Sequence, residues 1–379
     1  MKRLSLRWVA AALAGVVLVG GGGAVAMLPA PPAPPSATPV LAAETRNTLA
    51  ALRPPKRARP VIAVIGIADA TETTDFIMPL SILRRSGSAE VWALSTSPGP
   101  IQLYPALRVW PDATTATFDA RYPDGADYVI VPAMTPDDDP EALAWIRRQA
   151  ERGAIIIGVC AGARVVANAD LLDGRQATTH WYYLKGLLKA HPHLEYTPDR
   201  RFLVDHGVAT TTGITASIPF SLTLIEAISG RPKALEVARS LGVSRWDAGH
   251  DSDAFRFNRR FAVNVMRNKA MFWRHQTLGL ELKPGQDGVA LALTADAWSR
   301  TYRSRVITHA PGTAPVTTLE GLRILPDRAD APAAGLVVAP PAEPAGPGLD
   351  RTLAGIERRY GAGTAEVVAM QLEYPRVRP

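Results

Sequence analysis

Residues 153–162, G-A-I-I-I-G-V-C-A-G, place the tightest constraint on this chain of 379 residues. Ala154 to Ile157 form an apolar, β-branched run of buried-strand length. The run ends in Gly158-Val159-Cys160-Ala161-Gly162, with the single cysteine of the chain between two glycines. A sharp turn from strand to helix leaves no room for neighbouring β-carbons, so the pattern reads as a nucleophile elbow with Cys160 at its tip. Beyond it, Ala161 to Ala169 reads as a helix, Asp173-Gly174 as a turn, and Ala177 to Trp181 as a short strand carrying His180. One cysteine also excludes an internal disulfide.

The net charge of +7 invites a nucleic-acid reading, and its location argues against one. Residues 1–60 hold eight Lys and Arg against Glu44 alone, and the rest of the chain is neutral. The basic part is a leader and tether. Lys2, Arg3 and Arg7 precede an uncharged run from Trp8 to Met27, about the length a bilayer core requires. Ala24-Val25-Ala26 has the form of a cleavage site, so residues 1–27 read as an export signal, either a cleaved signal peptide or an uncleaved anchor in the inner membrane. Positive residues before the run put the body outside, in the periplasm. A Pro-rich tether follows over residues 28–60, for which no fold is expected.

Val61 to Gly66 is a buried strand, and Asp75 to about Arg85 a helix. Further strands are expected at Glu90–Leu94 and Tyr128–Val131, with an antiparallel excursion through Ile101–Trp110 and a helix at Glu141–Arg152. Strand and helix alternate into the elbow strand, which is a doubly wound α/β sheet. Ligands of such sheets bind outside the carboxyl ends of the strands, where the loops after Gly66 and Val131 meet Cys160.

Cys160-Ala161-Gly162-Ala163, Ala169-Asp170-Leu171-Leu172-Asp173-Gly174-Arg175 and Ala177-Thr178-Thr179-His180-Trp181 form one long signature. With T-E-T-T-D-F-I-M-P before it, and Thr210 to Ala216 opening a helix to Gly230, it resembles the ThiJ/PfpI family of the class I glutamine-amidotransferase-like superfamily. The resemblance covers about residues 60–230, and implies a flavodoxin-like sandwich with an acidic residue beside the elbow cysteine, at the position of Asp75. The chain departs from protease-like relatives, which carry His directly after the cysteine, where Ala161 stands here. It also has Pro132-Ala133-Met134 where the oxyanion loop is commonly P-G-G.

These residues suggest nucleophilic chemistry. A thiol at a helix N-terminus is expected to have a lowered pKa, and a protonated Asp75 would donate a hydrogen bond to it. Such a thiolate adds to an electrophilic carbon. The backbone N–H groups of Ala161 and of Ala133 or Met134 would hold the oxyanion, and His180 would serve as general base or acid. Hydrolysis, hydration or a related addition to a small-molecule substrate is the expected activity. The alternative is a ligand-binding or thiol redox-sensing module.

No nucleotide fingerprint occurs. His191, His193, His250, Asp251 and Asp253 lack a metal-site spacing and read as solvated loops, so neither cofactor nor metal is expected. Residues 231–285 read as a helical segment packed on the core through Phe255, Phe257, Phe261 and Trp273. The L-G-V-S turn within it is followed by R-W-D-A-G-H-D-S-D, too acidic for a recognition helix, so no nucleic-acid partner is expected. Residues 286–379 read as a degenerate second α/β copy. Val91–Asp112 aligns without gaps to Val306–Asp327, and a last strand is expected at Glu366–Met370, with Gln371 in the place of Cys160. Packed on the first, this copy would make a monomer into an intramolecular pseudo-dimer.

Overall fold

A computed structural model describes residues 27–30, 36–330 and 336–376. The leader, except for Met27, lies outside the described residues. Among those described, no helix is long and apolar enough to cross a membrane.

The central strand β1 (Val61–Gly66) is buried along its whole length, as a run of Val, Ile and Ala flanked by parallel strands must be. The chain then enters α1 (Thr73–Ser86), β2 (Glu90–Ser95) and the antiparallel pair β3 (Ile101–Tyr104) and β4 (Arg108–Trp110). Next come β5 (Tyr128–Val131), α2 (Pro140–Glu151), β6 (Ile155–Gly158) and α3 (Gly162–Asn168). Asp139 caps α2 by accepting from the Ala142 N–H, and Pro140 stands in its first turn, where it forfeits no helical hydrogen bond. After α4 (Trp181–Ala190), the hairpin β7 (Phe202–Asp205) and β8 (Val208–Thr211) closes one edge. The sheet has seven strands in the order β7-β8-β6-β5-β1-β2, then a short strand at Ala113–Thr114. It is the doubly wound α/β arrangement expected, and β6 delivers Cys160 from its carboxyl end.

Helix α5 (Ser217–Ser240) breaks its helical geometry at Gly230, where φ is 82°. It is followed by α6 (Arg259–Ala270), β9 (Gln276–Glu281), α7 (Gly288–Ser299), β10 (Ser304–His309), β11 (Arg323–Leu325), β12 (Val337–Val338), α8 (Ala345–Tyr360) and α9 (Ala362–Leu372). Strands β10-β9-β12 form a parallel three-stranded sheet, in the same order as β2-β1-β5. Antiparallel pairing joins β11 to β4 through Arg323 with Trp110, Ile324 with Val109 and Leu325 with Arg108. In the sequence alignment, Arg108, Val109 and Trp110 match Arg323, Ile324 and Leu325. The contact is therefore symmetric under exchange of the two halves. Helices α1 and α7 pack beside it, with Arg85 of α1 paired to Asp287 and Glu320.

Four sequence expectations need correction. Glu366–Met370 lies inside helix α9, so no strand corresponds to the elbow strand there. Residues 276–281, expected within the helical segment, are strand β9. The tether contains a helix at Ala42–Ala51; the Leu52 side chain is buried, and Arg57 pairs with the buried Asp127 at 2.7 Å, so this segment is folded against the body. Finally, Phe255 and Phe261 are buried as expected, but Phe257 and Trp273 are exposed.

Candidate functional site

Cys160 occupies the left-handed region at φ 57°, which a residue with a β-carbon adopts at a cost of about 1–3 kcal/mol. Two pairs of threonines hold it there. The Cys160 N–H donates to Thr211 Oγ1 at 3.1 Å, and Thr179 Oγ1 donates to the Cys160 carbonyl at 3.0 Å. The Thr178 N–H in turn donates to Thr210 Oγ1 at 2.9 Å. The T-T-H and T-T-T motifs thus act as a clamp on the turn. A β-carbon at Gly162 would lie 2.0 Å from the Val131 carbonyl oxygen, and one at Gly158 would meet the Ala163 backbone at 3.0 Å. Helix α3 must pass this close to β5 for the cysteine to reach the strand ends.

Asp75 stands in the first turn of α1, wholly buried. The helix is capped by Glu72, whose carboxylate accepts from the Asp75 N–H and from Thr74 Oγ1. Asp75 Oδ2 accepts from the Ala133 N–H at 3.2 Å, and Oδ1 has no partner. Burial, followed by the charge of Glu72, pushes the Asp75 carboxyl well above the usual carboxylate range, against the Ala133 hydrogen bond. Asp75 therefore holds its proton more tightly than an ordinary carboxyl.

The thiol is displaced in the direction opposite to that expected. Burial, then the carboxyls of Asp75 and Glu72, push Cys160 well above an ordinary thiol, and the Ala161 N–H opposes them. At 4% exposure, lost solvation outweighs the favourable amide, and α3 has only seven residues. The resting sulfur is a neutral thiol. Of the expected oxyanion donors, the Ala161 N–H faces the sulfur, while the Ala133 N–H is committed to Asp75. Met134 is buried and pairs with Thr71 through a single bridge.

His180 caps α4 and is not part of a strand. Its Nδ1 accepts from the Tyr182 N–H at 3.1 Å, and its Nε2 lies 2.9 Å from the Gln371 carbonyl. That arrangement requires the neutral tautomer with a proton on Nε2, and burial lowers its pKa further. Both ring nitrogens are therefore engaged by the backbone.

The C-terminal region supplies groups that sequence reasoning missed. Arg300, just after α7, pairs with Glu72 at 2.6 Å and with Asp296 at 2.7 Å. Glu373, following α9 at φ 53°, accepts from the Gly213 N–H and lies 3.0 Å from His250 Nε2. His250 is accordingly buried against Phe255, not solvated. Trp181 Nε1 donates to the Met370 carbonyl at 2.8 Å. Tyr104 and Tyr182, 59% and 58% exposed, lie near Tyr183 and Tyr302, and Tyr183 interacts electrostatically with Cys160 and Arg300. Among the described residues, no group of three or more His, Cys, Asp or Glu could hold a metal ion.

A doubly wound sheet with a strained cysteine at its elbow and a buried acid acting on it defines a flavodoxin-like protein of the cysteine-elbow class. Residues 61–227 match the DJ-1/PfpI family, and this part of the chain belongs to it. The HTH-type transcriptional regulator CdhR of Pseudomonas aeruginosa is 31% identical over 125 residues, 33% of this chain and 37% of that protein. The isonitrile hydratase of Pseudomonas putida is 39% identical over 94 residues, 24% of this chain and 40% of that enzyme. The chain thus spans well under half the length of either. The crystal structure of Drosophila melanogaster DJ-1beta, 22% identical, covers 49% of this chain and 100% of its own at a TM-score of 0.45.

Proposed function

We propose that the chain is a cysteine-dependent hydratase or hydrolase acting on a small electrophilic carbon, of which an isonitrile carbon is one example. The observation that carries this reading is a strained Cys160 under the electrostatic influence of the buried Asp75, whose Oδ1 is unpartnered and whose carboxyl is pushed well above the usual range. A buried acid with a free oxygen is ready to donate a proton where a substrate atom gains charge.

In the proposed cycle the sulfur bonds to the substrate carbon, while Asp75 donates its proton to the substrate and receives the thiol proton. Water then attacks the adduct carbon, the S–C bond breaks, and of the two water protons one returns to the sulfur and one goes to the product; where the substrate is an amide, its amine takes the proton from Asp75 and leaves before the water attacks. The sum is the addition of one water to the substrate. The Ala161 N–H faces the reacting centre, and we assign His180 to positioning, since both its nitrogens bond to the backbone. The tyrosines at the mouth favour a small, apolar or aromatic substituent on the substrate.

The leader sequence supports export, with the body in the periplasm and residues 8–27 either cleaved or retained in the inner membrane. We further read residues 276–360 as a partial second copy, on the strand order and the symmetric β4–β11 pairing. It would complete the site with Arg300, as a subunit partner would in a dimer. Incubation with a panel of isonitriles, nitriles, aldehydes and amides tests the activity. The wild type should convert at least one class, and Cys160→Ala and Asp75→Asn should not; equal conversion by Cys160→Ala would refute it.

A further inference from the structure

The face of α6 turned away from the body is both apolar and basic. Phe261, Ala262 and Asn268 are buried, whereas Val263 and Met266 are 44% and 50% exposed. Just beyond the helix, Phe272 and Trp273 reach 70% and 68%. Single exposed apolar side chains are ordinary on a protein surface, but a run of large ones on one element marks an interaction site. From Ala254 to Gln276 there is no Asp or Glu. Arg256, Arg259, Arg260, Arg267, Lys269 and Arg274 all stand exposed along this stretch, with Arg260 paired to Glu366 at 2.6 Å, in a body whose net charge is zero and whose acidic residues lie elsewhere. Beside Trp273, a cleft of about 370 Å³ is lined by Arg274, Arg303 and Arg359, with no carboxylate in its wall. Three guanidinium groups without a counter-charge suit a phosphate.

A second, independent observation favours a bilayer as the phosphate-bearing surface, on the reading in which the leader is retained. The Arg259 N–H donates to the Pro29 carbonyl at 3.0 Å, and its guanidinium to the Leu28 carbonyl at 3.3 Å. Residues immediately following the uncharged run Trp8–Met27 are therefore held on the first turn of α6. An anchor ending at Met27 would bring the bilayer close to the α6 face.

We propose that α6 and the Phe272-Trp273 turn form a membrane-docking surface for an anionic bilayer. Val263, Met266, Phe272 and Trp273 enter the headgroup region, and the surrounding cations contact lipid phosphates, as basic amphipathic helices lying on membranes do. The docked body is held flat against the membrane at the point where the leader emerges. This proposal is independent of the chemistry at Cys160.

The test uses the full-length chain in a Cys160→Ala background, with a nitroxide at Phe272→Cys or, in a second preparation, at Met266→Cys. A third carries the label at Glu141→Cys, exposed on α2. Each is reconstituted into vesicles of phosphatidylglycerol and phosphatidylcholine, and collisions with oxygen are compared with those of a water-soluble nickel chelate. Labels at 272 and 266 should favour oxygen over nickel several-fold more than the label at 141. Replacing the anionic lipid with phosphatidylcholine, or introducing Arg267→Glu with Lys269→Glu, should reverse that preference, with about fivefold weaker partitioning for each lost cation. The proposal is overturned if the three labels meet nickel equally while the leader remains inserted. It is also overturned if the 272 label is shielded in lipid-free solution by a second copy of the chain, or is shielded only by duplex DNA in a salt-sensitive manner.

Discussion

Arg300 and Glu72 are joined by an ion pair of 2.6 Å between residues 228 positions apart, and through it the C-terminal region fixes the cap of the helix that carries Asp75. Burial works to lower the Arg300 pKa, but the charges of Asp296 and Glu72 outweigh it and raise it. Among the described residues, the guanidinium is thus the cation that pairs with both inward-facing carboxylates. Arg300→Met would leave both carboxylates buried without it, at a cost of about 3–5 kcal/mol. Urea denaturation of the variant checks this, and a loss below about 1 kcal/mol would show that the pair contributes little.

Asp296 gives the fold a pH dependence of definite sign. Burial raises its carboxyl from 3.8 to about 7, despite the opposing charge of Arg300. The folded protein therefore binds this proton more tightly than the unfolded chain does. The resulting stability is complete below about pH 4, declines as the pH rises to about 7, and is level above that. Asp75 acts in the same sense, over a window that opens at the same ordinary value. Unfolding midpoints measured across this range should fall in the wild type and fall less steeply in Asp296→Asn; a midpoint that rises with pH would reverse the assignment.

Two glycines should respond oppositely to alanine. At Gly162 a β-carbon would strike the Val131 carbonyl and the Pro132 backbone, neither of which can rotate away, so Gly162→Ala should cost about 3 kcal/mol or more. At Gly186, inside α4, a β-carbon meets nothing within 4 Å, and Gly186→Ala should stabilise by about 0.5–1 kcal/mol. Thermal unfolding of both variants tests the pair. A Gly162→Ala protein as stable as the wild type would mean that the close approach of α3 to β5 is not required.

Cys160 should alkylate as a protonated, buried thiol. Its reaction with iodoacetamide should be slow at neutral pH, and should still be rising through the ordinary thiol value of about 8.5. A plateau below about pH 7 would instead establish a resting thiolate and remove the need for Asp75 as proton partner.

The elbow was legible because its signals are local: four apolar residues, two glycines and the cysteine lie within ten positions. Asp75 was legible for the same reason, as a helix-start residue within T-T-D. Arg300 and Glu373 were not, since each acts on residues far away in sequence, and although Glu72 caps α1 locally, no local pattern marks its ion pair with Arg300. The thiol pKa was misjudged because the dipole at a helix start can be read from sequence, but the burial that overrides it cannot. Glu366–Met370, E-V-V-A-M, illustrates another limit. Five residues of that composition suit a buried strand or a buried helix equally, and the eleven-residue length of α9 decides it. Residue type alone places Phe257 and Trp273 in the core, whereas both are exposed, Trp273 beside the outward face of α6.

Rapid quenching of the protein during turnover, followed by intact-mass measurement, tests the central claim most directly. With an isonitrile, nitrile or aldehyde from the panel that is consumed, a species heavier by the mass of that substrate should appear on Cys160 and decay as product forms; with an amide, whose amine leaves as the sulfur is acylated, the gain should be that of the acyl group alone. Asp75→Asn should slow its formation by about 10²–10⁴-fold. Product formation with no adduct at Cys160, continuing undiminished in Cys160→Ala, would contradict the account.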